Sequence, residues 1–294
     1  MKHRFLKTAL FATITMIAFA LNSVFGRLAI STHAIDPASY TAIRLVSGAV
    51  MLYLLVSIRG GFSYRPAAGT FFKTTGIGAL ALFIYAVFLS FAYITIDTGI
   101  GALILFVFVQ AVIIGYGLYG GERPNLQIWI GLLMAFAGFV YLVSPGLSAP
   151  DPLGTVLMAL SGIAWAVYSL HGRGQANPLF VTARNFLSTI PFSIILCLIF
   201  IKQSHIEISG AMLAMTSGAV TSALGYALWY ETQKELSATK SAILQLTVPA
   251  LAAAGGIIWI DEPLTLRFIV SGVLILGGVA LAIIAKEKTK QLLN

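Results

Sequence analysis

Residues 98–120 read TGIGALILFVFVQAVIIGYGLYG, a run with no Asp, Glu, Lys or Arg and a single amide, Gln110. A hydrocarbon core of about 30 Å takes roughly 20 residues of helix to cross, and this run has that length. Inside lipid no water satisfies the backbone, so such a block must close its own hydrogen bonds as a helix. Working outward, blocks of the same kind recur over 8–31, 37–58, 74–95, 126–144, 152–171, 178–201, 209–233, 237–260 and 266–285. Short alternating strands, the mark of a barrel, are not seen. Only 10% of the 294 residues are charged, where a soluble domain carries about a quarter, and mean hydropathy is +0.93. The expectation is an all-α membrane protein of ten transmembrane helices.

The breaks between blocks carry turn chemistry: Asp36-Pro37, Gly60-Gly61, Gly121-Glu122-Arg123-Pro124, Ser144-Pro145-Gly146, Asn177-Pro178 and Asp261-Glu262-Pro263. These loops are too short to hold a soluble domain, so function must reside among the helices. Lys2, Arg4, Lys7, Arg59, Arg65, Lys73, Arg123, Arg173, Lys234, Lys240, Lys286, Lys288 and Lys290 fall on one side. Only Lys202 and Arg267 fall on the other. The positive-inside rule therefore predicts both termini in the cytoplasm, the number of crossings being even. A bacterial cytoplasmic membrane is the expected location. The net charge of +8 is spread between apolar blocks, which argues against a nucleic-acid surface. Cys197 is the only cysteine, so no disulfide forms within the chain. Lys2, Arg4 and Lys7 before an apolar run reaching Ala18-Phe19-Ala20 imitate a signal peptide. The run continues to Ile30, so we expect a retained first helix.

Shifted by about 140 positions, the chain overlays on itself: Arg44 on Arg184, Glu122 on Glu262, Ala137-Gly138 on Gly277-Gly278. A slightly larger shift brings Gly26-Arg27 onto Gly172-Arg173. This divides the chain into residues 1–147 and 148–294. Five helices per half is odd, so the second half enters from the opposite face. Such inverted repeats in transporters enclose a site that opens to each side in turn.

Particular stretches sharpen this reading. They are Phe91-Ala92-Tyr93 through Gly99-Ile100-Gly101-Ala102-Leu103, Gly121-Glu122-Arg123-Pro124, Gly131 to Gly138, Ala242-Ile243-Leu244-Gln245-Leu246-Thr247-Val248-Pro249, Asp261-Glu262-Pro263, and Gly272 to Gly278. The pattern resembles the EamA-type members of the drug/metabolite transporter superfamily over nearly the whole chain. The resemblance implies an inverted five-plus-five bundle in which helices 1, 3, 4, 6, 8 and 9 line a cavity and 2, 5, 7 and 10 support them. It also implies export of amino acids and related metabolites, with the aromatic-amino-acid exporters the nearest analogy.

Polar groups inside apolar helices each need a partner or a substrate. Asn22, Gln110 and Gln245 offer donor and acceptor together, either to a solute or to a neighbouring helix. Pro249 leaves the carbonyl of Gln245 without a helical partner, which predicts a kink near the middle of the ninth helix, either lining a cavity or purely structural. Tyr85, Phe106, Trp165, Tyr168 and Tyr226 lie inside segments expected to line the cavity and could stack on a flat solute or simply pack. Tyr40, Tyr93, Trp129, Trp229, Tyr230 and Trp259 lie near segment ends, where an interfacial belt is expected. Arg44 and Arg184 could attract anions at the two mouths of a pathway, or act structurally by snorkelling to the interface or pairing with helix-terminal carbonyls. Glu122 and Glu262 read as structural landmarks of the repeat, and the glycine runs as sites of close helix packing.

Every carboxylate and histidine falls in a loop or near a segment end. The expectation is uncoupled facilitation or exchange of a small molecule, with no cofactor, no metal and no obligatory protein partner. A membrane enzyme is the first rival, but the zinc motif His-Glu-x-x-His, the Gly-x-Ser-x-Gly elbow and a phosphate loop are all missing from the sequence. A structural or receptor subunit is the second, and short loops give it little surface.

Overall fold

The computed structural model describes residues 2–59, 70–120, 126–146, 149–172, 175, 177–233, 236 and 244–293, with the backbone alone for 2–5, 70–75, 230, 233 and 285–293. The Gly60-Gly61 and Gly121 to Pro124 turns, Ala242-Ile243, and Arg65, Arg123, Arg173, Lys234 and Lys240 lie outside the described residues. So do the side chains of Lys73, Lys286, Lys288 and Lys290.

Helices occupy the expected segments with most ends moved by a few residues; the first begins six residues earlier and the tenth ends eight later, and the expected start of the ninth at 237 lies outside the described residues. They are α1 (Lys2–Ser31), α2 (Pro37–Ile58), α3 (Thr70–Ala92), α4 (Thr98–Tyr119), α5 (Leu126–Val143), α6 (Pro152–Gly172) and α7 (Pro178–Ile199), then α8 (208–233), α9 (Thr247–Ile260) and α10 (Leu266–Leu293). Among the described residues eight helical stretches are long and apolar enough to cross a membrane, and Gly76–Ala92 and Thr247–Ile260 are shorter apolar helices. The chain is an all-helical membrane protein.

The proline-led breaks work as helix starts. Asp36 caps α2 by accepting from the Ser39 N–H at 2.9 Å, and Asn177 caps α7 by accepting from the Phe180 N–H at 3.1 Å. In each, proline takes the first helical position, where an N–H would have no partner anyway. Asp151 accepts from Gly154 at 2.7 Å to start α6, again ahead of a proline.

Five connections gather at one end of the bundle. Asp36 N–H donates to His205 O at 2.9 Å and Glu207 N–H to Ala34 O at 2.8 Å. Thr95 donates to Asp151 at 3.1 Å. The Arg267 guanidinium donates to the last carbonyls of α5 and its following turn, those of Leu142, Ser144 and Pro145. At the other end Arg59 pairs with Glu231 at 3.5 Å.

The main packing pairs follow a rule. Helix α3 packs on α6 and α1 on α8; α4 packs on α6 and α1 on α9; α3 packs on α7 and α2 on α8. Adding five to each number, modulo ten, exchanges the members of each couple. The remaining large contacts, α2 with α7, α4 with α9 and α5 with α10, map onto themselves.

Small residues set the closest crossings, as expected of the glycine runs at Gly78, Gly131, Gly138, Gly218 and Gly278 but not at Gly76 and Gly277, where a Cβ would meet nothing within 4 Å. A Cβ on Gly131 would overlap the Gly278 carbonyl, and one on Gly278 would overlap the Gly131 carbonyl. A Cβ on Gly218 would overlap the carbonyl of Arg44. That last contact lies in an unexpected element: α8 is α-helical over Ile208–Thr216, π-helical over Ser217–Leu224, and α-helical again over Gly225–Gln233. A π-turn widens the helix and lets the backbone bend, and such turns concentrate at functional sites.

The belt assignment needs correcting in part. Trp129 and Trp259 are about half exposed, as a belt requires. Tyr40, Tyr93 and Trp229 are buried in the core. Proximity to a helix end says nothing about which face a ring occupies, and these three face the bundle. The side chain of Tyr230 lies outside the described residues.

Candidate substrate site

The π-helical turn brings three hydroxyls toward α1. Asn22 Oδ1 accepts from Ser217 Oγ at 2.9 Å, Thr221 Oγ1 at 2.6 Å and Ser222 Oγ at 3.1 Å. Ser217 and Thr221, four residues apart, would share a face of any α-helix, but Ser222 would not, and it is the wider π-turn that brings it round to Asn22. Asn22 thus fastens α1 to α8, the interhelical role that was one of its two readings.

Ser222 also touches the second layer. Arg44 Nε donates to Ser222 Oγ at 3.4 Å, and Arg44 Nη2 donates to Tyr85 Oη at 3.3 Å. Its guanidinium lies 5.4 Å from the centre of the Tyr85 ring. Arg44 is 2% exposed. The expectation that it snorkels to the interface is therefore wrong: α2 packs against both α7 and α8 at this level, and the side chain runs inward between them. Its Nη1 atom has no hydrogen-bond partner, and no carboxylate pairs with it, among the described residues.

Rings form the other wall. Trp165 on α6 lies 4.8 Å from Tyr85 on α3, 5.4 Å from Tyr168 and 5.5 Å from Tyr226 on α8, centre to centre. Phe19 of α1 and Phe186 of α7 meet Tyr226 edge-on at 5.7 and 6.0 Å. The α3–α6 contact that sets this stack is pinned by Ser161 Oγ, which donates to the backbone carbonyl of Tyr85 at 2.9 Å. The arrangement offers flat apolar faces, phenol hydroxyls and one cation in a place shielded from water.

Of the residues expected to bind substrate, the structure joins Asn22, Tyr85, Trp165, Tyr168 and Tyr226. Phe106 and Gln110 are buried on α4, and among the described residues no hydrogen bond or ring contact links them to the cluster. Gln245 is half-buried in a short helical piece, 244–245. The helical ladder is interrupted at Leu246 (φ −67°, ψ −12°), and α9 begins at Thr247, two residues before Pro249. Arg184 lies on α7 with its guanidinium 6.0 Å from the Phe180 ring.

A second charged cluster closes the end that holds the five connections. Arg27 donates to Asp97 at 3.2 Å, to Glu262 at 3.3 Å, and to the carbonyls of Tyr93 and Ile94 at 2.8 and 3.1 Å. Glu262 accepts from the N–H and hydroxyl of Thr98, each at 2.9 Å, so it caps α4 from another loop while Asp97, the residue in the cap position, makes no side-chain cap. Burial lifts the Glu262 carboxyl above its ordinary value, and the bonds from Thr98 and the charge of Arg27 only partly oppose that. Glu262 is structural, as its place in the repeat suggested, and the part played by Arg27 gave no signal in the sequence beyond its position at a segment end. Its repeat counterpart around Glu122 lies outside the described residues.

A cation and rings buried between helices of an apolar bundle call for relatives that move solutes, and the comparisons supply them. The EamA-like transporter family model matches residues 152–284. A protein of Pseudomonas aeruginosa, the uncharacterized protein PA1977, is 44% identical over 94% of each chain. This chain belongs to the EamA family. An uncharacterized transporter of Archaeoglobus fulgidus is 23% identical, covering 91% of this chain and 98% of that one. The threonine/homoserine exporter RhtA of Escherichia coli is 24% identical over 60% of this chain and 61% of its own. A crystal structure at 19% identity superposes with a TM-score of 0.66, covering 94% of this chain and 97% of the other, which shows a shared fold. As an EamA protein the chain is a membrane transporter of small molecules and not an enzyme.

The resemblance assigned α2 and α7 to support; in the structure α2 delivers Arg44 and α7 delivers Phe186 to the cluster. Helical periodicity could not have found Arg44. Two turns inside a span, its direction depends on how α2 rotates against α8, and the Gly48 and Gly218 contacts fix that rotation.

Proposed function

We propose that the protein exports or facilitates the passage of amino acids and related amphipathic metabolites by alternating access around the Arg44–Tyr85–Trp165–Tyr226 cluster. The observation that carries this is the cluster's mixed parentage. Asn22, Arg44 and Tyr85 come from residues 1–147, while Trp165, Phe186, Ser222 and Tyr226 come from residues 148–294. A site built from both halves changes exposure whenever the halves rock.

The inverted five-plus-five arrangement, with ten crossings and both ends in the bacterial cytoplasm, is supported by the exchange rule among packing pairs and by the matched caps of α2 and α7. The excess of Lys and Arg on one side supports the orientation. Amino acids are the substrate class we favour because RhtA, a distant relative, is a threonine/homoserine exporter. Phe106, Gln110 and Gln245 remain assigned to the cavity wall on the same footing. Movement is uncoupled, since no carboxylate among the described residues pairs with the cluster.

Counterflow in proteoliposomes tests this. A panel of threonine, homoserine, phenylalanine and tryptophan is loaded inside, and entry of the same labelled solute is followed. We expect counterflow for at least one solute, undiminished by a protonophore, and strongly reduced in Trp165→Ala and Tyr226→Ala. Full activity in both variants would remove the cluster as the site.

A further inference from the structure

We infer that Arg44 is the receptor for a carboxylate, so that the solute is recognised by its anionic head at Nη1 while its apolar body lies among Tyr85, Trp165 and Tyr226. This rests on the reading of the cluster as the transport site. The contrast with Arg27 and Arg267, two arginines at the bundle end, makes the case. Arg27, set in a bundle end, has two carboxylates and two carbonyls. Arg267 is wrapped in three carbonyls. Arg44 is the most buried of the three, yet its partners are two neutral hydroxyls at long distances, and Nη1 has none among the described residues.

A guanidinium stays charged at any physiological pH and presents its donors as a planar fork suited to carboxylates. Burying it without an anion is so costly in an apolar bundle that such residues mark function by default. The missing anion is then the solute. Among the described residues no carboxylate gives an ammonium group an equivalent reception, and Glu231 pairs with Arg59 at the far bundle end. Asp36, Asp97, Asp151, Glu207, Asp261 and Glu262 stand at helix starts or in connections, and Asn22 Oδ1 already carries three hydroxyls. The head that matters is the carboxylate.

The test uses the full chain in detergent micelles or nanodiscs with three probes of one shape: 3-phenylpropanoate, 3-phenylpropanamide and phenethylamine. Dissociation constants are read by titration calorimetry or thermal shift. In the natural protein the acid should bind roughly ten- to hundredfold tighter than the amide, the worth of one charge-assisted hydrogen bond, and the amine should bind most weakly. Arg44→Gln should erase the preference for the acid, and Arg44→Lys should keep part of it. Equal binding of acid and amide, no binding of the acid, or an acid preference that survives in Arg44→Gln each overturn the inference. Should Arg44→Gln not fold, the ranking in the natural protein decides alone. Trp165→Ala should weaken acid and amide alike. Counterflow without acid preference leaves the transport site standing and removes Arg44. Acid preference without counterflow of any carboxylate leaves the receptor and removes the transport reading.

Discussion

Replacing Asn22 by alanine takes away one buried oxygen on which three hydroxyls converge. A carbonyl oxygen has two lone pairs, so the three share it. Thr221 has a second acceptor, the carbonyl of Ser217 at 2.9 Å, and can fall back on it. Ser217 and Ser222 then lose their acceptor while fully buried. An unsatisfied buried group costs about 1–3 kcal/mol in general, but interhelical bonds within membranes average only about 0.6 and reach about 1.7 kcal/mol. Two such groups therefore predict a loss of roughly 1–3 kcal/mol, or about 2–6 °C in Tm at ~2 °C per kcal/mol for a chain of this size. Thermal unfolding of the purified protein in one detergent, scanned at one rate, reads it. Asn22→Asp keeps the oxygen and should lose less. A double-mutant cycle of Asn22→Ala with Ser217→Ala should show a coupling of about 0.5 kcal/mol or more. Wild-type Tm in Asn22→Ala, or strict additivity in the cycle, would show that the hydroxyl convergence does not hold α1 to α8.

Gly218→Leu should abolish counterflow and lower Tm more than Gly277→Leu, because its Cβ would meet the Arg44 carbonyl whereas nothing lies within 4 Å of a Cβ on Gly277. Equal tolerance of the two in a thermal and transport comparison refutes the close α2–α8 approach. Glu262 supplies a pH dependence. Its carboxyl is raised above the ordinary 4.5 by burial, so the folded state holds the proton more tightly and the group's contribution to stability falls as pH rises through the shifted value. The Tm of the wild type minus that of Glu262→Gln should accordingly decline from pH 4 toward neutrality, and an increase over that window contradicts the assignment. Arg27→Met should lower Tm clearly more than Arg59→Met, since it strands the buried Glu262 carboxylate whereas Glu231, the partner of Arg59, is more exposed; an equal or smaller shift refutes it.

Helix positions were legible because hydrocarbon forces a run of apolar residues at each crossing, and Asp36-Pro37 and Asn177-Pro178 mark their starts with capping chemistry. Trp165, Tyr168 and Tyr226 were legible as aromatics inside helices, where rings have few other uses. The rest depends on helix rotation. Arg44 looks like a snorkelling residue until Gly48 and Gly218 bring α2 against α8, and Tyr40 and Tyr93 look like belt residues until their faces are known. The π-turn at Ser217–Leu224 has no mark in the sequence beyond a run of small and hydroxyl residues, which α-helices also tolerate. Glu262 acts on α4 across a separation of 164 residues, and only the fold brings the two together.

The central claim is that the cluster is reached from both sides of the membrane in turn. A cysteine placed at Trp165 in a Cys197→Ser background, in vesicles of known orientation, tests it with a membrane-impermeant thiol reagent added to one side at a time. The account predicts that the Trp165→Cys thiol reacts from either side. Reaction from one side only contradicts it.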